Sequence, residues 1–173
     1  NTTGCHNNAI GCGALCSNTT GGCNTAIGQY ALLTNTAGSR NSALGHCAMS
    51  QNTTGAYNTA SGYRALRNNT TASGGVAVGH NALFTNTTGS ENTALGSYSL
   101  YTNTTGNQNN AVGRQALQLN TTGCHNQAMG KSALEGNTTG NCNTAIGHSA
   151  LKANTTAIHN TAVGAYSLQS NTT

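Results

Sequence analysis

Seven cysteines, six histidines, two glutamates and a series of Asn-x-Thr triplets are the residues in this sequence whose types and spacing could do chemistry. The cysteines form no C-x-x-C pair, which favours an oxidising compartment and disulfides over a zinc site. Cys5 and Cys23 stand eighteen residues apart, and Cys124 and Cys142 repeat that separation. Cys12 and Cys16 are close enough to bridge locally, and Cys47 is left over. His6 and His125 each follow a cysteine directly, but no cofactor or metal is expected from so sparse a ligand set. Glu91 and Glu135 are more than forty residues apart, too far in the chain to form a paired acid and base, so enzymatic chemistry is not expected. Asn-x-Thr is the acceptor for N-linked glycans. It occurs at Asn1, Asn18, Asn52, Asn69, Asn86, Asn103, Asn120, Asn137, Asn154 and Asn171, with an overlapping copy at Asn68.

The even spacing of those acceptors comes from an internal repeat. Ten units of 17 residues begin at Asn1 and every 17 residues thereafter, and Asn171-Thr172-Thr173 opens an eleventh. The motif is N-T-T-G-x-x-N-T-A-[ILV]-G-x-x-A-L-x-x, and residues 1–173 read as a single tandem array. Asn at position 1, Thr at position 2, Ala at position 9 and Gly at position 11 occur in all ten copies. Every charged, aromatic, His and Cys residue falls at position 5, 6, 12, 13, 16 or 17, which marks those dipeptides as exposed corners. The segments between the corners are too short for helices and have no 3.6-residue periodicity.

The fold class expected is therefore all-β, a parallel β-solenoid or β-roll of ten coils with 17 residues in each. At a rise of about 4.8 Å per coil the array is a rod about 48 Å long. Identical residues then stack, and Asn7, Asn24, Asn41, Asn58, Asn92, Asn109, Asn126, Asn143 and Asn160 are expected to form an internal amide ladder, broken at Gly75. The same stacking brings Cys5 near Cys23 and Cys124 near Cys142, with Cα atoms about 6 Å apart, so both pairs are expected to be axial disulfides. One coil buries roughly an Ile and a Leu, at about 1.5–3 kcal/mol each. Ordering each residue costs about 1–2 kcal/mol in backbone entropy, so a coil is stable only against its neighbours.

Successive strand residues face opposite ways, so Ala9 and Ile10 diverge, and Ala14 and Leu15 are expected to do the same. Both faces are then apolar, as in strands covered by the coil interior on one side and a partner chain on the other. Neither terminal copy reads as a cap, which predicts head-to-tail assembly or a longer native array. Six basic residues scattered over the chain and a net charge of +4 are too sparse for a nucleic-acid face. No segment approaches the ~20 apolar residues of a membrane span. The acceptor asparagines lie on one edge and suit a glycan coat, while the persistence of Asn35 and Thr36 without a sequon points to a local backbone role for positions 1 and 2.

The core G-x-x-N-T-A-I-G-x-x-A-L, seen from Gly21 to Leu32 and from Gly140 to Leu151, resembles the head repeats of trimeric autotransporter adhesins. It is also similar to N-T-T-G-x-x-N-T-A-I-G arrays of bacterial and phage fibre proteins that end in an intramolecular chaperone domain. The resemblance implies a parallel β-roll, often trimeric, on a cell or phage surface. The function expected is that of a structural subunit of an extracellular filament whose partners are copies of itself and covalent glycans. The alternative is an adhesin-type module presenting Tyr57, Tyr63, Arg64 and Arg67 to a receptor or glycan; ice binding, which needs outward Thr pairs two apart, is less favoured.

Overall fold

The computed structural model describes residues 2–172 and is an all-β solenoid without helices. Ten strands of three residues each, from β1 (Asn8–Ile10) and β2 (Thr25–Ile27) to β10 (Thr161–Val163), form one parallel sheet in chain order. Register is strict: Ala9 pairs with Ala26 and Ile10 with Ile27, and each later strand repeats the 17-residue step. Between strands β2 (Thr25–Ile27) and β3 (Ser42–Leu44) the chain makes turns in which Ala31 N–H bonds Gly28 C=O and Asn35 N–H bonds Leu32 C=O. Bonds between coils continue through the turns, for example Leu32 N–H to Ala48 C=O at 3.0 Å. Without proline, any N–H in the chain can join this ladder.

The coil interior differs from the expectation of buried Ile and Leu. Position 9 points inward and is always Ala, with Ala26, Ala77, Ala94, Ala111 and Ala145 fully buried. Position 10 points outward: Ile10 is 64% exposed, Leu44 52% and Met129 55%. Positions 9 and 10 thus diverge as expected, but positions 14 and 15 do not; in inner coils both are buried, as Ala116 and Leu117 show. The reason is that position 15 is left-handed in every coil, with φ from 47° to 51°, which turns the leucine back into the coil. A left-handed non-glycine residue costs roughly 1–2 kcal/mol, and burying the leucine returns about 1.5–3 kcal/mol. The core is thus a column of leucines, with Met49 in one coil, against two columns of alanine and an occasional serine.

Glycine is required at position 11, where φ lies between 122° and 136°. Added at Gly96, a Cβ would come 2.6 Å from the Gly113 carbonyl oxygen in the next coil. Position 11 is where the strand ends and the chain turns under its neighbour at that close approach.

Candidate functional site

The sequence-predicted site residues fall on the asparagine-lined coil edge, on the corner formed by positions 12, 13 and 16, and on the separate corner at positions 5 and 6, while the outer face of the sheet forms a further surface.

The asparagines make two ladders. At position 7, the Oδ1 of Asn24 accepts the backbone N–H of Asn41 at 2.9 Å, and its Nδ2 donates to the Gly38 carbonyl at 2.8 Å. Asn7, Asn41, Asn58, Asn92, Asn109, Asn126 and Asn143 repeat both contacts. Asn160 ends the row, its N–H bonded to Asn143 Oδ1. The second ladder lies at position 1, and at its buried members it stands against the expected glycan attachment. Asn18, Asn35, Asn52, Asn69, Asn86, Asn103, Asn120, Asn137 and Asn154 are all buried. In each inner coil both Nδ2 hydrogens are committed: Asn103 donates to Asn86 Oδ1 at 2.8 Å and to Gly106 C=O at 3.0 Å. Asn171 is half-buried and donates to Asn154 Oδ1, while Asn1 lies outside the described residues. A glycan on any of the buried Nδ2 atoms would displace a ladder bond, so these acceptors are structural in the folded coil. The ladder continues through Asn35, where the sequon is lost, because the carboxamide and not the sequon is what the packing uses.

Position 2 explains the invariant threonine. Thr104 N–H, Thr105 N–H, Gly106 N–H and the Thr104 hydroxyl all point to the carbonyl of Thr121 at 2.9–3.4 Å. Sequence reading missed this convergence, although the invariance of Thr at position 2 marked the place.

All seven cysteines are free thiols, which corrects the two axial disulfides. Backbone proximity is as expected, with Cys23 N–H bonded to Cys5 C=O at 2.9 Å and Cys142 N–H to Cys124 C=O at 3.1 Å. The side chains have different tasks. Position 5 turns along the axis, so that Cys124 Sγ accepts Asn107 N–H and donates to Thr122 C=O, both at 3.3 Å. Position 6 is left-handed, with φ 57° at Cys142, and that thiol is exposed. Cys12, Cys16 and Cys47 are also free, and no group of three or more His, Cys, Asp or Glu suited to a metal occurs among the described residues.

The outer sheet face carries positions 8 and 10. Position 10 reads Ile10, Ile27, Leu44, Ser61, Val78, Leu95, Val112, Met129, Ile146 and Val163, one residue per strand. Ser61 leaves a notch in this column, a shallow depression of about 270 Å³ lined by Ile27, Leu44, Thr59 and Ser61.

The remaining surface is the 12–13–16 corner. Tyr30, His46, Tyr63, His80, Tyr98, Tyr101 and Phe84 form an unbroken series of ring contacts with centroids 5.1–6.2 Å apart. Arg64 lies over Tyr63 and Arg67 over Phe84, at 4.8 and 5.8 Å from the ring centroids. Tyr57 is elsewhere, at position 6, where its hydroxyl takes a bond from Arg40 Nη1 at 2.6 Å. The structure therefore brings together Tyr63, Arg64 and Arg67 but separates them from Tyr57. Of the two carboxylates, Glu91 accepts from Gln108 Nε2 at 2.8 Å and Glu135 faces Lys152 at 3.4 Å.

Fold and surfaces together define a parallel β-solenoid of 17-residue coils with asparagine ladders inside and an aliphatic sheet face outside. No family model, no curated protein and no solved structure matches the chain.

Proposed function

We propose that this chain is a structural subunit of an extracellular filament and that it assembles side by side with copies of itself through the outer sheet face. The observation that carries the reading is the outward column at position 10, aliphatic or Met in every strand but the one holding Ser61. A folded chain with its own core gains nothing from exposing large aliphatics in line, whereas association does. The stripe is about 48 Å long and about 10 Å wide, roughly 500 Å² on each copy and so close to the ~1,000 Å² total that a specific interface needs. The 17-residue period makes the stripe self-complementary, since a second copy has the same rise. The resemblance to adhesin heads and fibre arrays supports both the association and the surface location. The mixed composition of position 8, with Asn8, Val76, Asn110 and Gln127 among the threonines, argues against ice binding, which needs a uniform threonine array.

Light scattering after size exclusion tests the reading. The chain is expected to run as an oligomer and Leu95→Asp/Ile146→Asp as a monomer with an unchanged far-ultraviolet spectrum. A wild-type chain that is monomeric at 100-fold dilution series from the high-micromolar range downward sinks it, as does an oligomer indifferent to the two aspartates.

A further inference from the structure

The 12–13–16 corner gathers five of the six basic residues, although they look scattered in the sequence. Arg64 and Arg67 lie in one coil, and Arg114, Lys131 and Lys152 follow in the next three basic coils on the same edge. From Arg64 to Lys152 is five coils, about 24 Å along the axis. The sole carboxylate on this edge is Glu135, which faces Lys152. Arg40 and Glu91 belong to the other corner, at position 6.

Arg64 and Arg67 are the best-organised pair. Their backbones are tied by a bond from Arg67 N–H to Arg64 C=O at 3.3 Å, and each guanidinium rests on an aromatic ring. Both Nε atoms are buried without a hydrogen-bond partner, so the surface each residue shows to solvent is carried by the rest of its side chain. Two more buried, unpartnered polar atoms lie beside them at the same repeat positions: Ser50 Oγ one coil before Arg67 and Asn81 Oδ1 one coil after Arg64. Among the described residues these four are the buried side-chain N and O atoms left unsatisfied, and they cluster on three successive coils. Leaving such groups unpaired costs about 1–3 kcal/mol apiece. Arg67 Nη1 donates to Asn68 Oδ1 at 3.2 Å, and two ring-supported guanidiniums in one coil, with the carboxylate of Glu135 four coils away on this edge, suit an oxyanion.

We infer that this edge binds an acidic polysaccharide lying parallel to the solenoid axis, its carboxylates held first by Arg64 and Arg67 and then by Arg114, Lys131 and Lys152. A linear polymer suits basic groups strung along five coils. Single-stranded nucleic acid suits the edge less well, because it needs free ring faces on which to stack bases. Here the faces of His46, Tyr63 and His80 are used on one another, with interplanar angles of 16° and 8°. The inference is independent of side-by-side assembly, which uses positions 8 and 10 on a different segment of the coil.

The test is titration of the full chain with polygalacturonate, with neutral dextran and oligo-dT as comparison polymers, over a range of salt. Polygalacturonate is expected to bind with an affinity that falls steeply with salt, and dextran not to bind. Arg64→Gln/Arg67→Gln should weaken binding roughly ten- to a hundredfold, from two lost charge-assisted contacts, and lower the salt slope by about two. Arg40→Gln, at the opposite corner, should leave both quantities unchanged. Arg64→Lys/Arg67→Lys keeps the charge and the packed stem, should fold as wild type, and should bind with an affinity between the two. Equal affinity for the wild type and the double Gln variant overturns the assignment, as does equal weakening by Arg40→Gln. Tighter binding of oligo-dT than of polygalacturonate would reassign the edge to nucleic acid and overturn it too.

Discussion

Gly75 is the one position-7 residue that is not asparagine, and replacing it with asparagine should stabilise the chain. In every other inner coil the position-7 side chain accepts the next coil's backbone N–H and donates to a position-4 carbonyl, as Asn92 does with Asn109 N–H at 2.9 Å and Gly106 C=O at 2.7 Å. At Gly75 the incoming half persists, since Gly75 N–H still bonds Asn58 Oδ1 at 2.8 Å. The outgoing half has no side chain, so Asn92 N–H and the Gly89 carbonyl each lose the partner that the ladder supplies elsewhere. Restoring an acceptor to a buried N–H is worth about 1–3 kcal/mol, and the new carboxamide bond to Gly89 about 1 kcal/mol. Removing a glycine from the unfolded chain adds about 0.4–1 kcal/mol. Ordering the new side chain takes back roughly 1 kcal/mol. Space is tight but open: a Cβ at Gly75 meets Asn58 Oδ1 at 3.2 Å and Leu66 Cδ1 at 3.6 Å. The net expectation for Gly75→Asn is a gain of about 2 kcal/mol, or about 4–8 °C in Tm for a chain of this size. Hydrogen exchange at the Asn92 amide gives the local readout, with protection rising toward that of Asn109. Asn109→Gly should have the converse effect, lowering stability and the protection of the Asn126 amide. A Gly75→Asn chain that melts at or below the wild-type temperature, with Asn92 still fast to exchange, would refute the ladder accounting.

The remaining tests bear on the core, the turn and the two corrected sites. Leu117→Ala, which empties a fully buried side chain, should cost about 2–5 kcal/mol in urea unfolding, whereas outward-facing Val112→Ala should cost well under 1 kcal/mol in a monomeric background. Gly96→Ala should cost at least ~2 kcal/mol because it combines a φ of 136° with a backbone overlap in the next coil, and circular dichroism on heating reads it. Asn103→Ala, harmless for a mere glycan carrier, should cost about 1–3 kcal/mol by leaving Asn86 Oδ1 without its donor and one of the two Asn120 Nδ2 hydrogens without its acceptor, measured by the urea midpoint. Cys5→Ser/Cys23→Ser should leave the urea midpoint unchanged, where loss of an axial disulfide would lower stability by about 2–4 kcal/mol.

The coil length, the parallel stacking and the position-7 ladder were legible because each is a statement about periodicity. A residue that recurs every 17 positions must stack on itself whatever the shape of the coil. What periodicity could not supply was direction. Asn18 and its equivalents read equally well as glycan acceptors or as buried amides, because the same carboxamide serves either purpose and only burial distinguishes them. Cys124 and Cys142 are placed on adjacent coils by the repeat, but the left-handed backbone at position 6 sends the second thiol outward. The left-handed corners at positions 6, 13 and 15 left no plain glycine signature: only Gly74 and Gly13 hint at them, while residues as different as Leu, Tyr, His, Arg, Cys, Gln, Glu and Ser stand in the other copies.

Position 15 also decides which apolar residue the chain must leave in water. Once each coil turns its leucine inward from one wall, the opposite wall has room only for the methyl of alanine, and Ala26, Ala43 and Ala60 duly show 0–1% exposure. The strand alternation then forces the next residue outward, so the larger aliphatic at position 10 is excluded by the very packing that makes the coil thin. In a globular domain such a residue would move to a wider part of the core, but a solenoid whose every coil has the same cross-section has no wider part. Its exposed stripe is therefore a geometric consequence of the repeat. A freely soluble rod would place Thr or Lys at position 10, at no cost to the coil. Instead the column holds Ile, Leu, Val or Met in nine of ten strands, and Ser61 shows that a small polar residue fits there. Aliphatics kept where the fold tolerates serine are the residues that the side-by-side assembly proposed above would cover.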